Sequence, residues 1–427
     1  MNFAALTPAA ERLAAQSPHF LAELRQKALA RFLESGLPSP RQEAWKYTNL
    51  AQIERKSLSL VQTAPTIDAD SIRAKLLADC WHLVLVDGKV SEEFSRLPNR
   101  PQQAIVLDLK TALCHHPELI AQGLGQAVDQ PHGLIDLNTA LFQDGAFIYL
   151  KPQVKLEPIQ ILHLHTQAAL IPTRHLIVLE EGAHACVIET YLGTADGLAV
   201  HVSEALLGEH SYLQHFKTQQ EQDQAFHFSG LYVKQAADSC FRQAQFALGG
   251  RLARSEIHVR LEQNSRCELQ GLHWAKGQSH LDSHTLIVHT APGATSREVY
   301  KAIAEDRGRS VFQGRIVVQP GAQKTDAAME NRNLLLSEAA EVDSQPHLEI
   351  YADDVKCSHG VSIGQLDQDA LFYLKTRGLE LEAARELLLY GFANAMIAEV
   401  PLASLRAFLH RQVDQHFTAL NLETAVL

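Results

Sequence analysis

Between Pro158 and Gly364 the chain alternates apolar and polar positions in strand-length runs, and turn-forming positions recur at nearly fixed intervals. The turns fall at Gly182, Glu209, Ala237, Asn264, Gly293 and Gly321, spaced by 27, 28, 27, 29 and 28 residues. Each leads into a β-type run, as in GAHACVIETY, NSRCELQGLHW and GATSREVYKAI. Upstream lies a second such run, as in His175 to Leu179, Ser255 to Leu261, Leu286 to His289 and Ser310 to Val318. A strand–turn–strand unit of this size cannot bury its own apolar face, so copies must stack to make a continuous core. At ~3.3 Å per residue, two or three short strands and their turns complete one coil of a parallel β-helix, whereas a propeller blade usually takes ~40 residues. The pattern therefore predicts a mainly β protein with a parallel β-helix (solenoid) over 158–364. The competing reading is an antiparallel sandwich whose periodicity is accidental.

The flanks follow a different period. A helical run through Glu23 to Glu34 is stopped by Ser35-Gly36 and then by Pro38 and Pro40. From Leu379 to Val400 the residues Leu381, Ala384, Leu387, Leu388, Gly391, Ala395 and Ala398 stand at helical spacing, ended by Pro401, and a second helix is expected from about Leu402 to Leu420. Three regions result: 1–157 helical and mixed, 158–364 β-helix, and 365–427 helical. The terminal helices serve either to cap the end coils or to dock a partner.

Composition narrows the function. The 427 residues, 46% hydrophobic and 20% charged, make ordinary globular stock for about two or three domains. A formal charge of −11 without a Lys/Arg cluster argues against nucleic acid or an anionic membrane as partner and leaves proteins. No apolar run reaches the ~18 residues of a spanning helix, and Met1 to Ala10 lacks the features of a secretory signal, so a cytoplasmic location is expected. Six cysteines without any C-x-x-C pair exclude a zinc ribbon and read as free thiols. Among the 22 histidines, His115-His116, His163-x-His165 and His280-x-x-x-His284 each lack the acidic or third-histidine companion of a familiar metal motif.

The most informative stretch runs from Glu349 to Gly360, EIYADDVKCSHG. Residues i and i+2 of a strand share a face, so Cys357 and His359 project together, a soft sulfur beside a borderline nitrogen suited to iron, zinc or copper. The bland alternative is a buried structural cysteine. Two donors fall short of the four that an iron–sulfur site normally takes, so the others must come from elsewhere or from another chain, and such a site readily gives its metal away. Downstream, Gly360-Val361-Ser362-Ile363-Gly364 fits G-x-S-x-G, with Asp367, Asp369, His410 and His416 in a permissible order for a serine hydrolase. That nucleophile elbow belongs at a strand-to-helix turn of an alternating β/α sheet, which the β repeats contradict. Asp353-Asp354 is an adjacent acidic pair that reads as a turn, and no G-x-x-x-x-G-K-[ST] loop occurs, so ATP hydrolysis by this chain is not expected.

Several ordered motifs carry a resemblance: Gly36-Leu37-Pro38 leading to Glu43-Ala44-Trp45-Lys46-Tyr47-Thr48; Glu157-Pro158-Ile159-Gln160-Ile161-Leu162-His163; Lys324-Thr325-Asp326 with Glu330-Asn331-Arg332-Asn333; and Glu341-Val342-Asp343-Ser344 through Cys357-Ser358-His359-Gly360. Over nearly its whole length the chain resembles the SufB/SufD proteins of the SUF iron–sulfur cluster assembly system. The resemblance implies a helical N-terminal region, a right-handed parallel β-helix, and a C-terminal helical segment that binds the SufC ATPase. It further implies pairing of SufB with SufD through their β-helices, with two SufC subunits, the nascent cluster forming where the two meet. His359 matches the SufD histidine implicated in assembly, and Cys357 its neighbouring thiol, as metal donors for transient iron or a nascent cluster shared with SufB. SufB proteins commonly carry a cysteine-rich motif near the N-terminus, whereas the first cysteine here is Cys80, so the SufD branch fits better. The implied role is a non-catalytic scaffold driven by SufC. Flavin involvement and a homodimer of the isolated chain stay open at this point.

Overall fold

The computed structural model describes residues 6–56, 58–61, 68–100 and 102–417. From the strand Ile159–His165 onward, successive strands fall alternately into two sheets, and each pairs in parallel with the strand two places along the chain. Down one sheet, Phe226 stands beside Leu252, Leu252 beside His280, His280 beside Arg309 and Arg309 beside Glu341, steps of 26, 28, 29 and 32 residues. The repeat in the sequence is thus the coil length of a parallel β-solenoid, and the antiparallel sandwich is ruled out. Parallel stacking also takes in Trp81–Val86, which pairs with Ile159–His165, and Ala146–Leu150, which pairs with Leu170–Leu179.

Each coil bends through a residue with positive φ: Gly182, His210, Asp238, Asn264, Gly293 and Lys324. The N–H of each donates to a carbonyl of the next coil, as Gly182 to Glu209 (2.8 Å) and Lys324 to Asp354 (2.7 Å). The sequence pattern places three of these turns one to three residues early, at Glu209, Ala237 and Gly321, where the structure bends at His210, Asp238 and Lys324. At Gly293 a Cβ would lie 2.4 Å from Asn264 Oδ1, so a side chain there would force that amide to move in addition to straining the backbone at φ +77°.

Register divides the interior lengthwise. Ile177, Ala205, Val233, Val259, Ile287 and Ile316 stack in one aliphatic row. Alongside runs a polar row, Thr173, His201, Ser229, Ser255 and Ser283, all buried.

Helices cover the outer faces. On the nine-stranded sheet, the helices Thr7–Ala15, His19–Ser35 and Gly133–Leu141 join Val200, Val202 and Phe228 in a second core. Arg25 donates to the carbonyls of Ala140 (3.0 Å) and Phe142 (2.8 Å), closing the C-terminal end of the third helix. The segment Glu43 to Thr48 is a latch. Trp45 is buried under the Arg254 guanidinium (3.8 Å to the ring centroid), which Glu256 (2.7 Å) and Asp282 hold, and Thr48 Oγ1 donates to Asp282 Oδ2 at 2.6 Å.

On the ten-stranded sheet, the helices Leu381–Ile397 and Ala403–Asp414 bury Leu389, Ala393, Met396, Phe408 and Leu409 against Phe216, Phe246, Leu272 and Trp274. This is not the stripe the sequence singled out. Of that stripe only Ala384 is buried, while Leu381, Gly391, Ala395 and Ala398 are exposed. The first helix carries apolar residues on two faces, and the sheet takes the one through Leu389, Ala393 and Met396. The part of the second expected helix beyond 417 lies outside the described residues.

Trp45→Ala removes the buried ring of the latch and strands the Arg254 cluster. It is expected to destabilise by about 3–5 kcal/mol, read as a lowered urea midpoint by circular dichroism.

Candidate functional site

The strands Glu341–Ile350 and Lys356–Gly364 are the terminal members of their sheets. Cys357, His359, Val361 and Ile363 continue the rows of Ala327, Met329, Asn331 and Asn333, which are buried and face inward. In any earlier coil these positions would be covered by the next turn. Here, among the described residues, no coil follows, so His359 is exposed and Cys357 half-buried on the inward side of an open coil. Ile350, Val361 and Ile363 are exposed at 42%, 43% and 46%. Unpaired strand edges beside exposed apolar side chains form a template for another chain.

The two donors differ chemically. Partial burial raises the Cys357 thiol above its ordinary pKa and the Asp326 carboxylate adds to this, against a hydrogen bond from the Ala327 N–H. The thiol is therefore protonated near neutrality and ionises only with a metal or base at hand. A neutral imidazole needs no such step. Asp353 and Asp354 lie in the turn between the two terminal strands, and Asp354 pairs with the Lys324 ammonium.

The hydrolase constellation does not assemble. Gly360 to Gly364 lies inside the strand Lys356–Gly364 rather than at a strand-to-helix turn. The Asp367 carboxylate caps the helix Gln368–Thr376, accepting from Asp369 N at 2.9 Å. His416 stacks on Trp274 with centroids 4.3 Å apart. Trp274 is in register with Ile303, Leu334 and Gly364, three strand spacings or roughly 14 Å from the terminal strand.

Sequence reasoning missed one cluster. His163-x-His165 does acquire a third companion, His201, and one ring nitrogen from each of the three lies within 4.8 Å of the others. The third histidine arrives from the facing sheet, so only the solved register reveals it. Around it burial pushes His175 and His227 down to about 4, and burial with mutual repulsion drives His163 and His201 well below the usual imidazole range. Burial opposes the ionisation of Glu189 and Glu221. Neighbouring histidines nonetheless hold both well below the carboxylate range, His215 at Glu189, His227 and His165 at Glu221. Burial lowers Lys217 to about 8.

Two family models match: the SufBD core domain of SUF-system FeS cluster assembly over residues 163–392, and the SufBD protein N-terminal region over 4–161. The chain is 30% identical to an iron–sulfur cluster assembly SufBD family protein of Synechocystis, covering 88% of this chain and 87% of that one. It is 32% identical to the iron–sulfur cluster assembly protein SufD of Escherichia coli, over 86% of each chain. With the protein of the same name from Bacillus subtilis it shares 26% identity over 94% of each.

Because Ser362 sits mid-strand without an assembled base, a serine-directed fluorophosphonate is expected to leave it unlabelled, as peptide mass spectrometry would check.

Proposed function

The chain belongs to the SufBD family of the SUF iron–sulfur cluster assembly system, and on that premise we propose that it is the SufD-type scaffold of a complex with a SufB-type paralogue and a SufC-type ATPase. The observation that carries this reading is the pair of inward-facing donors on an uncapped coil. A second β-helix meeting this end would cover Ile350, Val361 and Ile363, and its own donors would complete the coordination that Cys357 and His359 begin. Iron and the nascent cluster are cargo. A site shared across an interface releases its contents when the interface shifts. His359 is the first ligand for Fe²⁺, because the raised thiol of Cys357 must ionise before it can bind a metal, whereas an imidazole nitrogen can offer its lone pair.

The ATPase docks on the C-terminal helices. The outward stripe of the helix Leu381–Ile397 is apolar or small, and Phe372 and Tyr373 on the helix Gln368–Thr376 are exposed at 69% and 55%. Lys301 Nζ donates to Phe392 O at 3.1 Å, one of the ties between that helix and the solenoid. Movement of the helices on nucleotide turnover is therefore transmitted to the solenoid and on to the open coil. With no phosphate loop in the chain, the partner supplies the hydrolysis. No described helix is long and apolar enough to cross a membrane.

His359→Ala is expected to leave the three-component complex at wild-type yield while cluster formation in cells falls to background; normal cluster yield with this variant would refute the role. Ala395→Arg sets a charge in the outward stripe and is expected to weaken ATPase binding by at least about tenfold, measured by titration calorimetry, with the circular dichroism unchanged.

A further inference from the structure

His163 and His165 stand on the strand Ile159–His165 and His201 on Leu198–Leu207 of the facing sheet, all at most 4% exposed. Each ring has one nitrogen engaged and one without a partner. His165 Nδ1 lies 2.6 Å from Glu221 Oε1, His201 Nδ1 lies 2.6 Å from Thr173 Oγ1, and His163 Nε2 lies 3.1 Å from His175 Nε2. His165 Nε2, His201 Nε2 and His163 Nδ1 are buried and have no hydrogen-bond partner among the described residues. Buried polar atoms are seldom left unpaired, and three on a group whose nitrogens converge within 4.8 Å point to a missing occupant. Two of the three rings, His165 and His201, are held from behind by a carboxylate and a hydroxyl, the arrangement that fixes histidine ligands around a metal. Two buried carboxylates lie nearby, each also paired with a histidine, Glu189 with His215 and Glu221 with His227. Glu189, held by Tyr191 and Ser203 at 2.5 Å each, and Glu221, held by Gln219 at 3.0 Å, are both buried, with Lys217 as the lysine buried beside them.

We propose that His163, His165 and His201 bind a divalent first-row transition-metal ion, Zn²⁺ or Fe²⁺, as a structural centre that ties the two sheets together inside the first coils of the solenoid. Three imidazole nitrogens select this class over Mg²⁺ and Ca²⁺, which prefer oxygen. The Ala146 N–H donates to His175 Nδ1 (2.8 Å), so His175 carries its proton on Nε2 and donates it to His163 Nε2, leaving the His163 proton on Nδ1. Coordination replaces that proton, which leaves for solvent, and the resulting imidazolate still accepts the His175 N–H. Since the ligands are buried, the ion enters while the coils fold. This centre is separate from the cargo donors Cys357 and His359, and the test holds the two apart.

The full chain carrying Cys357→Ser and His359→Ala, expressed with Zn²⁺ or with Co²⁺ as a spectroscopic substitute, is expected to purify with close to one ion per chain. The cobalt form is expected to show visible d–d bands and no thiolate charge-transfer band. His201→Gln is expected to abolish retention. Thr173→Val, which keeps the shape and removes the bond behind His201, is expected to weaken retention about 10–100-fold in chelator competition. A metal-free chain of unchanged circular dichroism, its triad holding only water, would overturn the proposal, as would a stoichiometry indifferent to both substitutions. Should His201→Gln fail to fold, the cobalt spectrum of the parent decides, and absence of a nitrogen-only spectrum counts against the centre.

Discussion

Everything in this molecule depends on parallel main-chain pairing between successive coils. It repeats a given interior position at each turn of the solenoid, so that rows of like residues form one core no single coil could build. The same pairing dictates what happens where it stops. A final coil keeps the inward face of its predecessors and loses the cover, and its N–H and C=O groups are left without a strand to bond. Proteins usually blunt such an edge. Here it carries Ile350, Val361 and Ile363 together with a thiol and an imidazole. On the proposed account, the chemistry and the stickiness of this end arise from one feature of the fold.

The flanking helices have complementary tasks. The N-terminal ones, with the Trp45 latch and its buried Arg254, Glu256 and Asp282, fix the solenoid from one side. The C-terminal helices bury one apolar face on the opposite sheet and turn a second one outward. On the proposed account, that second face receives the ATPase and the solenoid conveys its motion to the open coil. A stack of coils joined by continuous ladders suits that task better than a set of flexibly linked domains would.

Much of this was readable in the sequence, for physical reasons. A period of 27 to 29 residues survives in sequence because every coil must turn and must present apolar residues at the same register. Gly182, Asn264 and Gly293 are the turn residues in both sequence and structure, while the turns at His210, Asp238 and Lys324 lie one to three positions beyond where the pattern puts them. Cys357 and His359 could be placed on one face because they lie two apart on one strand. The third histidine of the interior triad could not, because His201 belongs to the other sheet and meets His163 only through the fold. The C-terminal helix misled for a different reason: with two apolar faces, periodicity alone does not say which one meets the sheet. The G-x-S-x-G match failed on context, its serine lying within a strand.

The claim that this chain supplies half of a shared cluster site is tested most directly by iron and sulfide analysis of the chain purified alone and of the same chain purified with its β-helical paralogue and ATPase. The account predicts substoichiometric iron with no lasting cluster in the first and a cluster in the second. A durable, stoichiometric cluster on the isolated chain would contradict it.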